Sequence, residues 1–360
     1  MTAPKKNKKK KPGEVHVPTV TEEFAELREQ VAEIVPDAVI FSESPSLKDV
    51  TDWVPTGFPW LDLVISGGRG FPVGRVVQIS GKFGVGKSAL CESLVRSFQD
   101  KEMYAAWLDF EVSLSPSHLA SYGVLPERFL YTTPDSIEQG FDIVNAAMEK
   151  QLPTLFVWDS VTAAQPNVER DAGGMDETKR RPGAHALSYS MGMRGINARL
   201  ANANSTLVFI NQLRQNIQTQ GFAANKWTRS GGVALDFYSH LILQITKIKT
   251  LTKGSDHNKR RTGAILKIEA VKTKFAPEGA ACEIILSYKR GLDKEASLLH
   301  FLKKRGKVKA AGRKGVRIEG SEETFKENKW RVFFRDNRDL VNGVLEDALE
   351  ELKEVLHKDD

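Results

Sequence analysis

The residues Gly81-Lys82-Phe83-Gly84-Val85-Gly86-Lys87-Ser88 carry the clearest chemical pattern in the chain. They fit G-x-x-x-x-G-K-[ST], a spacing that captures a chain of phosphates. Gly81 and Gly86 let the backbone turn sharply and present N–H groups to phosphate oxygens. Lys87 brings a mobile cation to the β- and γ-phosphates of a nucleotide, and Ser88 offers a hydroxyl to Mg2+. From Ser88, and on through Ala89, a helix is expected, and its positive end faces the same anion. A glycine-rich surface turn would share these letters. It would not share the apolar strand before them or the apolar spacing of the helix after them.

Three further acids and amides end apolar runs. Leu155-Phe156-Val157-Trp158-Asp159 reads as a strand whose terminal carboxylate joins the shell of the metal. Leu108-Asp109-Phe110-Glu111 ends another, and Glu111 is the candidate to orient and deprotonate an attacking water. Its alternative is a glutamate that only pairs on the surface. Val208-Phe209-Ile210-Asn211-Gln212 sends an amide out of a third strand, where Gln212 can sense a γ-phosphate. Two long polar segments adjoin these strands. Glu169–Gly183 contains Arg170, Lys179, Arg180 and Arg181, and Arg214–Ser230 contains Phe222, Trp227 and Arg229. Segments of this length are usually functional or disordered. They read as a nucleic-acid channel gated by ATP, with Trp227 or Phe222 as a stacking platform, or else as two disordered surface loops.

A doubly wound α/β sheet can place all of these at one edge. Strands are expected at Arg75–Ser80, Tyr104–Phe110, Phe129–Thr132, Leu155–Asp159 and Thr206–Asn211. Several are apolar on both faces, as covered parallel strands are. Helices are expected at Ser88–Phe98, Ile137–Lys150 and Ala186–Ala203. A strand-rich extension follows at His240–Lys249, Ala264–Lys272 and Glu283–Tyr288, with a polar turn at Asp256–Arg261.

Outside this core, residues 1–20 are a lysine-rich arm with too few apolar residues to offset ordering, expected to be disordered. A helix at Thr21–Val35 and a short strand at Ala38–Phe41 make an element of residues 21–53 that must dock, on its own chain or on a neighbour. The core spans residues 54–292, with loops near 167–184 and 214–230. Residues 293–360 form a small α+β domain with a basic face from Lys303 to Arg317 and an acidic final helix. The 360 residues carry a formal net charge of +6, compatible with nucleic acid but not demanding it. No apolar run is long enough to span a membrane, and the first residues lack a signal peptide's apolar core. Cys91 and Cys282 read as buried free thiols, so a cytoplasmic protein is expected.

Together these residues resemble the RecA family of DNA strand-exchange proteins, from about Thr56 to Gly291. The likeness runs through Thr56-Gly57 with Leu61-Asp62, Gly74-Arg75, the phosphate loop, Asp109-Phe110-Glu111, and Pro134-Asp135 with Glu138-Gln139. It continues through Val157–Val161, Phe209–Arg214, Gly231-Gly232 with Ala234-Leu235, and Val271-Lys272-Thr273-Lys274. The two nucleotide motifs are widely shared among ATPases. The Asn-Gln-x-Arg element and the Lys-x-Lys pair are more selective.

The resemblance implies an α/β, RecA-like phosphate-loop ATPase core with a mostly parallel sheet. It implies ATP and Mg2+ as cofactors, Asp159 and Ser88 on the metal, Glu111 as water activator and Gln212 as γ-phosphate sensor. Lys272 and Lys274 would reach the neighbouring subunit's γ-phosphate. The helix and strand of residues 21–53 would dock on the next subunit of a helical filament, and Phe237 would be an interface aromatic. Arg194, Gly231 and Gly232 fall at DNA-contacting places, and Tyr288 at a nucleotide-contacting one in the partner subunit. Single- and double-stranded DNA would be the partners, with loading and single-strand binding proteins beside them and no membrane. His118 stands where the family often stacks a tyrosine on adenine. Val233, Asp236 and Leu187 replace a common asparagine, lysine and arginine, and both loops run a few residues longer than usual. These departures, the lysine-rich arm and the poorly matching terminal domain mark a divergent member, bacteriophage or bacterial. The expected activity is DNA-dependent ATP hydrolysis coupled to homologous pairing and strand exchange in recombination and repair. A ring-forming helicase or repair motor on the same core, and a non-enzymatic single-strand binding protein, are the alternatives.

Overall fold

The computed structural model describes residues 22–34, 50, 52–171, 183–215, 227–254 and 258–357. The lysine-rich arm, the strand expected at Ala38–Phe41, and Arg180, Arg181 and Phe222 lie outside the described residues. Residues 1–49 are one unit and residues 50–360 a second, compact one. In the first, helix α1 (Glu22–Ile34) carries Phe24, Leu27, Val31 and Ile34 at helical spacing.

The second unit opens on a small sheet of β1 (Trp53–Val54) and β2 (Phe71–Pro72), with α2 (Pro59–Ser66) between them. Ten strands then build the main sheet. They are β3 (Val76–Gly81), β4 (Tyr104–Asp109), β5 (Phe129–Thr132), β6 (Thr154–Asp159), β7 (Thr206–Gln215), β8 (Trp227–Arg229), β9 (Leu241–Lys253), β10 (Arg260–Thr273), β11 (Ala281–Ser287) and β12 (Gly291–Leu292). Their order is β12-β11-β10-β9-β3-β7-β6-β4-β5, with β8 paired to β7. The run from β9 through β3, β7, β6 and β4 to β5 is parallel, while β9 to β12 join antiparallel.

Side chains of the parallel strands alternate between two apolar layers, as a period of two requires. Val77, Ile79, Trp107, Val157 and Ile210 face the layer of α3 (Lys87–Asp100). Val76, Leu108, Trp158 and Phe209 face α5 (Ile137–Glu149), α7 (Ala184–Gly192) and α8 (Ile196–Asn202). Shorter helices α4 (Pro116–Ser121), α6 (Asn167–Asp171) and α9 (Val233–Tyr238) lie between strands. Ser136 caps α5 by accepting from Gln139 N at 3.1 Å.

The helix expected at Ala186–Ala203 is two helices. Gly195 takes a left-handed φ of 70° and restarts the chain as α8. Before the break, Gly192 lies flat against the ring of Phe141, where a Cβ would approach within 2.2 Å. The strands of the extension run longer than expected, so β10 starts at Arg260 inside the stretch read as a turn. The segment Arg214–Ser230 also has structured stems, because β7 continues to Gln215 and pairs with β8.

After β12, Asp293 caps α10 (Lys294–Lys304) by accepting from Ala296 N at 3.1 Å. A three-stranded sheet of β13 (Val308–Ala310), β14 (Val316–Ile318) and β15 (Thr324–Phe325) follows, then α11 (Trp330–Asp336) and α12 (Arg338–His357). Leu302, Val341 and Ala348 of this segment belong to the same apolar cluster as α2 and β11. Phe301 stacks on Trp60 at 4.7 Å. Among the described residues, no helix is long and apolar enough to cross a membrane.

Candidate nucleotide site and DNA loops

Strand register brings the chemistry to one edge. Gly81 pairs with Gln212, Asp159 with Ile210 and Asp109 with Asp159, so the C-terminal parts of four strands, β3, β7, β6 and β4, stand side by side. At Gly81 a Cβ would lie 2.7 Å from the Ile245 carbonyl, so no other residue fits. Gly84 and Gly86 hold left-handed φ values of 67° and 86°. Lys87 opens α3 and is folded back over the loop, where Nζ donates to Lys82 O at 2.9 Å and Gly81 O at 3.3 Å. Burial lowers its pKa, and the carboxylates of Asp159 and Glu111 oppose that.

Ser88 Oγ donates to Asp159 Oδ2 at 3.1 Å. Burial, reinforced by the charge of Glu111, pushes Asp159 up to about 7. A hydroxyl and a crowded carboxylate are hard oxygen donors, and a divalent cation here would relieve that crowding. The donor set therefore fits Mg2+, which Ser88 and Asp159 would hold. Among the described residues, no group of three or more His, Cys, Asp and Glu could hold a metal by itself.

Glu111 follows β4 on a loop held by Asp109. The Asp109 carboxylate accepts from the backbone N–H groups of Glu111, Ser113 and Leu114 at 3.1, 2.9 and 3.0 Å. Glu111 Oε1 in turn accepts from Ser160 Oγ at 2.5 Å and from Gln212 Nε2 at 3.1 Å. Glu111 and Gln212 line one cleft of about 360 Å3 together with Lys87, Ser88, Asp159, Gly84, Val85, Ala89, His118 and Tyr288. Phe83 is exposed on the loop's rim. Among the described residues, both cysteines are buried and free.

The expected residues do not all converge. Lys272 and Lys274 do not line this cleft. Lys272 Nζ instead donates to the Asp236 and Phe237 carbonyls of α9 at 2.6 and 3.2 Å, and Lys274 is exposed. Arg229 is held by a bidentate pair with Asp236, at 2.9 and 2.8 Å, so its guanidinium is committed within the chain. Gln78 Nε2 donates to the same carboxylate at 2.9 Å. Arg170 on α6 lies 3.9 Å from Asp135. Arg194 and Arg214 are exposed. Gly231 and Gly232, at φ 91° and 79°, turn the chain into α9. Trp227 lies on β8 opposite Gln215.

Three groups at this edge escape the sequence pattern. Ser160 bonds the candidate base, Asp236 secures the exit of the second loop, and Glu92 is a buried acid in the cleft wall. For Glu92 one signal existed: it falls one turn after Ser88, on the phosphate side of its helix.

The RecA N-terminal domain family matches residues 37–293. The chain belongs to the RecA family. It is 33% identical to Protein RecA of Nocardioides sp. over 299 residues, 83% of this chain and 82% of that protein. Protein RecA of Bifidobacterium breve is 33% identical over 291 residues, 81% of this chain and 71% of that protein. Protein RecA of Streptomyces coelicolor is 32% identical over 307 residues, 85% of this chain and 79% of that protein. The expected family and fold both hold, and with them the RecA-type recombinase function and its DNA-dependent ATPase activity. Nucleotide and DNA binding follow from membership in the same way.

Proposed function

We propose that ATP in the cleft sets the grip of this chain on DNA, through Glu111 and Gln212. The observation that carries this reading is the bond from Gln212 Nε2 to Glu111 Oε1 at 3.1 Å. One partner faces the reacting phosphate, and the other lies near the end of β7, which runs into the second loop and pairs with β8 on its return. Occupancy of the cleft and placement of Arg214 and Trp227 then depend on one hydrogen bond.

The roles follow from the chemistry. The loop Gly81–Ala89 wraps the phosphates, and Lys87 swings from its carbonyl contacts to their charge. Ser88 and Asp159 hold Mg2+, which when bound neutralises phosphate charge. Glu111 orients the attacking water and accepts its proton. His118 and Tyr288 flank the nucleoside. Lys272 and Lys274, outside their own cleft, act on the cleft of the next subunit, so ATP lies between two copies. Arg170, Arg180, Arg181, Arg194, Arg214, Trp227, Arg229 and the Gly231-Gly232 turn form the DNA-facing set. Arg229 reaches DNA only after leaving Asp236.

Residues 1–20 act as an arm, residues 21–53 dock on the next subunit of a helical filament, and residues 293–360 form the small terminal domain. Loading and single-strand binding proteins assist at the DNA, in the cytoplasm. The test is negative-stain imaging of the full chain with single-stranded DNA and a slowly hydrolysed ATP analogue. Helical filaments are expected. Discrete rings, or filaments that form equally well without nucleotide, contradict the reading.

A further inference from the structure

The wall of the cleft beyond the phosphates holds a group that the reading above leaves unused. Glu92 lies on α3 one turn past Ser88, and its side chain is only 6% exposed. Among the described residues its carboxyl takes part in no hydrogen bond, and its ion-pair neighbour is His118 Nδ1 at 4.0 Å. It lines the cleft beside His118, Ser121, Tyr122 and Tyr288. Ser121 Oγ donates to His118 O at 2.7 Å, and the Tyr122 oxygen accepts from Leu292 N at 2.8 Å. Among the described residues, the Glu92 oxygens do not belong to the sealed polar atoms without a partner; they open onto the cleft. Their partner therefore comes from what fills the cleft, water or a bound ligand.

We propose that Glu92 is a specificity-determining residue that reads the nucleobase, receiving the exocyclic amine of adenine. The inference rests on the nucleotide reading above. The loop Gly84–Ser88 fixes where the phosphates lie, so the nucleoside extends toward the wall of Glu92, His118 and Tyr288. Burial, helped by the charge of Asp159, pushes Glu92 up to about 7. Near neutral pH the group therefore keeps a proton much of the time. A protonated carboxyl offers an acceptor beside a donor. Adenine offers the complement, an amine beside a ring nitrogen. A 6-keto purine places an acceptor where adenine has its donor. A ribose hydroxyl is the other donor a nucleotide could bring, and the test separates the two.

The test measures binding of ATP, 2′-deoxyATP and purine riboside triphosphate, which lacks the amine, to the full chain. Wild type, Glu92→Gln and Glu92→Leu are compared, with thermal melting without nucleotide to verify folding. Wild type is expected to bind ATP about tenfold or more tighter than purine riboside triphosphate. Glu92→Gln keeps an acceptor beside a donor and retains the preference. Glu92→Leu binds both triphosphates alike, by losing affinity for ATP alone. Should Leu prevent folding, Glu92→Ala carries the same expectation. A preference that survives undiminished in Glu92→Leu overturns the proposal. So does a variant whose loss follows the 2′-hydroxyl instead of the amine. Failure of wild type to bind any triphosphate strikes the nucleotide reading itself, whereas an unchanged preference strikes only the role of Glu92.

Discussion

The two ends of the cleft are built on different principles. At the phosphate end, one contiguous loop supplies backbone N–H groups, a lysine and a hydroxyl, and its side chains already have partners. Lys87 rests on Lys82 O and Gly81 O, and Ser88 on Asp159. At the base end, the wall is assembled from α3, α4 and the turn after β11, and Glu92 has no hydrogen bond among the described residues. On the proposed reading, a charge common to every triphosphate is recognised by local backbone geometry, and one base by side chains that only the folded chain brings together.

Predictions can break or sharpen this contrast. The largest effect belongs to the phosphate end. Lys87→Ala is expected to lower DNA-stimulated ATP turnover by about a thousandfold or more. A loss within tenfold would show that the loop is not the reacting end. Glu111→Gln is expected to lower turnover about a hundredfold to a thousandfold while nucleotide-dependent DNA binding persists. Equal loss of both would make Glu111 a structural residue. Replacing Lys272 and Lys274 together with alanine is expected to abolish ATP-dependent assembly, seen by light scattering, and to leave weak salt-sensitive DNA binding. Active assembly in that variant would return both lysines to their own protomer.

The base end gives smaller effects. The folded state raises the pKa of Glu92 from the usual 4.5 to about 7. Between those values the folded chain holds a proton that the unfolded chain has released, so stability falls as pH rises through this window. The bound on that loss is about 3 kcal/mol. Glu92→Gln without nucleotide is therefore expected to melt several degrees higher than wild type at pH 8 and about the same at pH 4.5. A difference that does not change with pH would mean that the carboxyl is satisfied in solution. The smallest effect is at the rim, where the His118 side chain is 66% exposed. His118→Ala is expected to weaken ATP binding by only about threefold to tenfold.

The same contrast sets how much could be read from the sequence. The central strands announce themselves because β3, β6 and β7 are largely apolar on both faces, and Gly81, Asp159 and Gln212 follow those apolar runs. The phosphate loop is legible because its chemistry is contiguous. Glu92 is not, because an acid among Ser88, Ala89 and Ser93 looks solvent-facing until α4 folds against it. The pairing of Arg229 with Asp236 joins a loop stem to a helix, and neither residue signals the other. The break at Gly195 is similarly hidden, because the apolar spacing of Tyr189, Met193, Ile196 and Leu200 continues across it. β8 is three residues long and has no pattern apart from its partner on β7.

The most direct measurement is the affinity for single-stranded DNA, with and without a slowly hydrolysed ATP analogue, of wild type and Gln212→Ala at fixed salt. Wild type is expected to gain affinity when the analogue binds, and Gln212→Ala to bind the analogue as well while gaining nothing. An equal gain in the variant would contradict the account, because the cleft would then reach the DNA loops without the bond between Gln212 and Glu111.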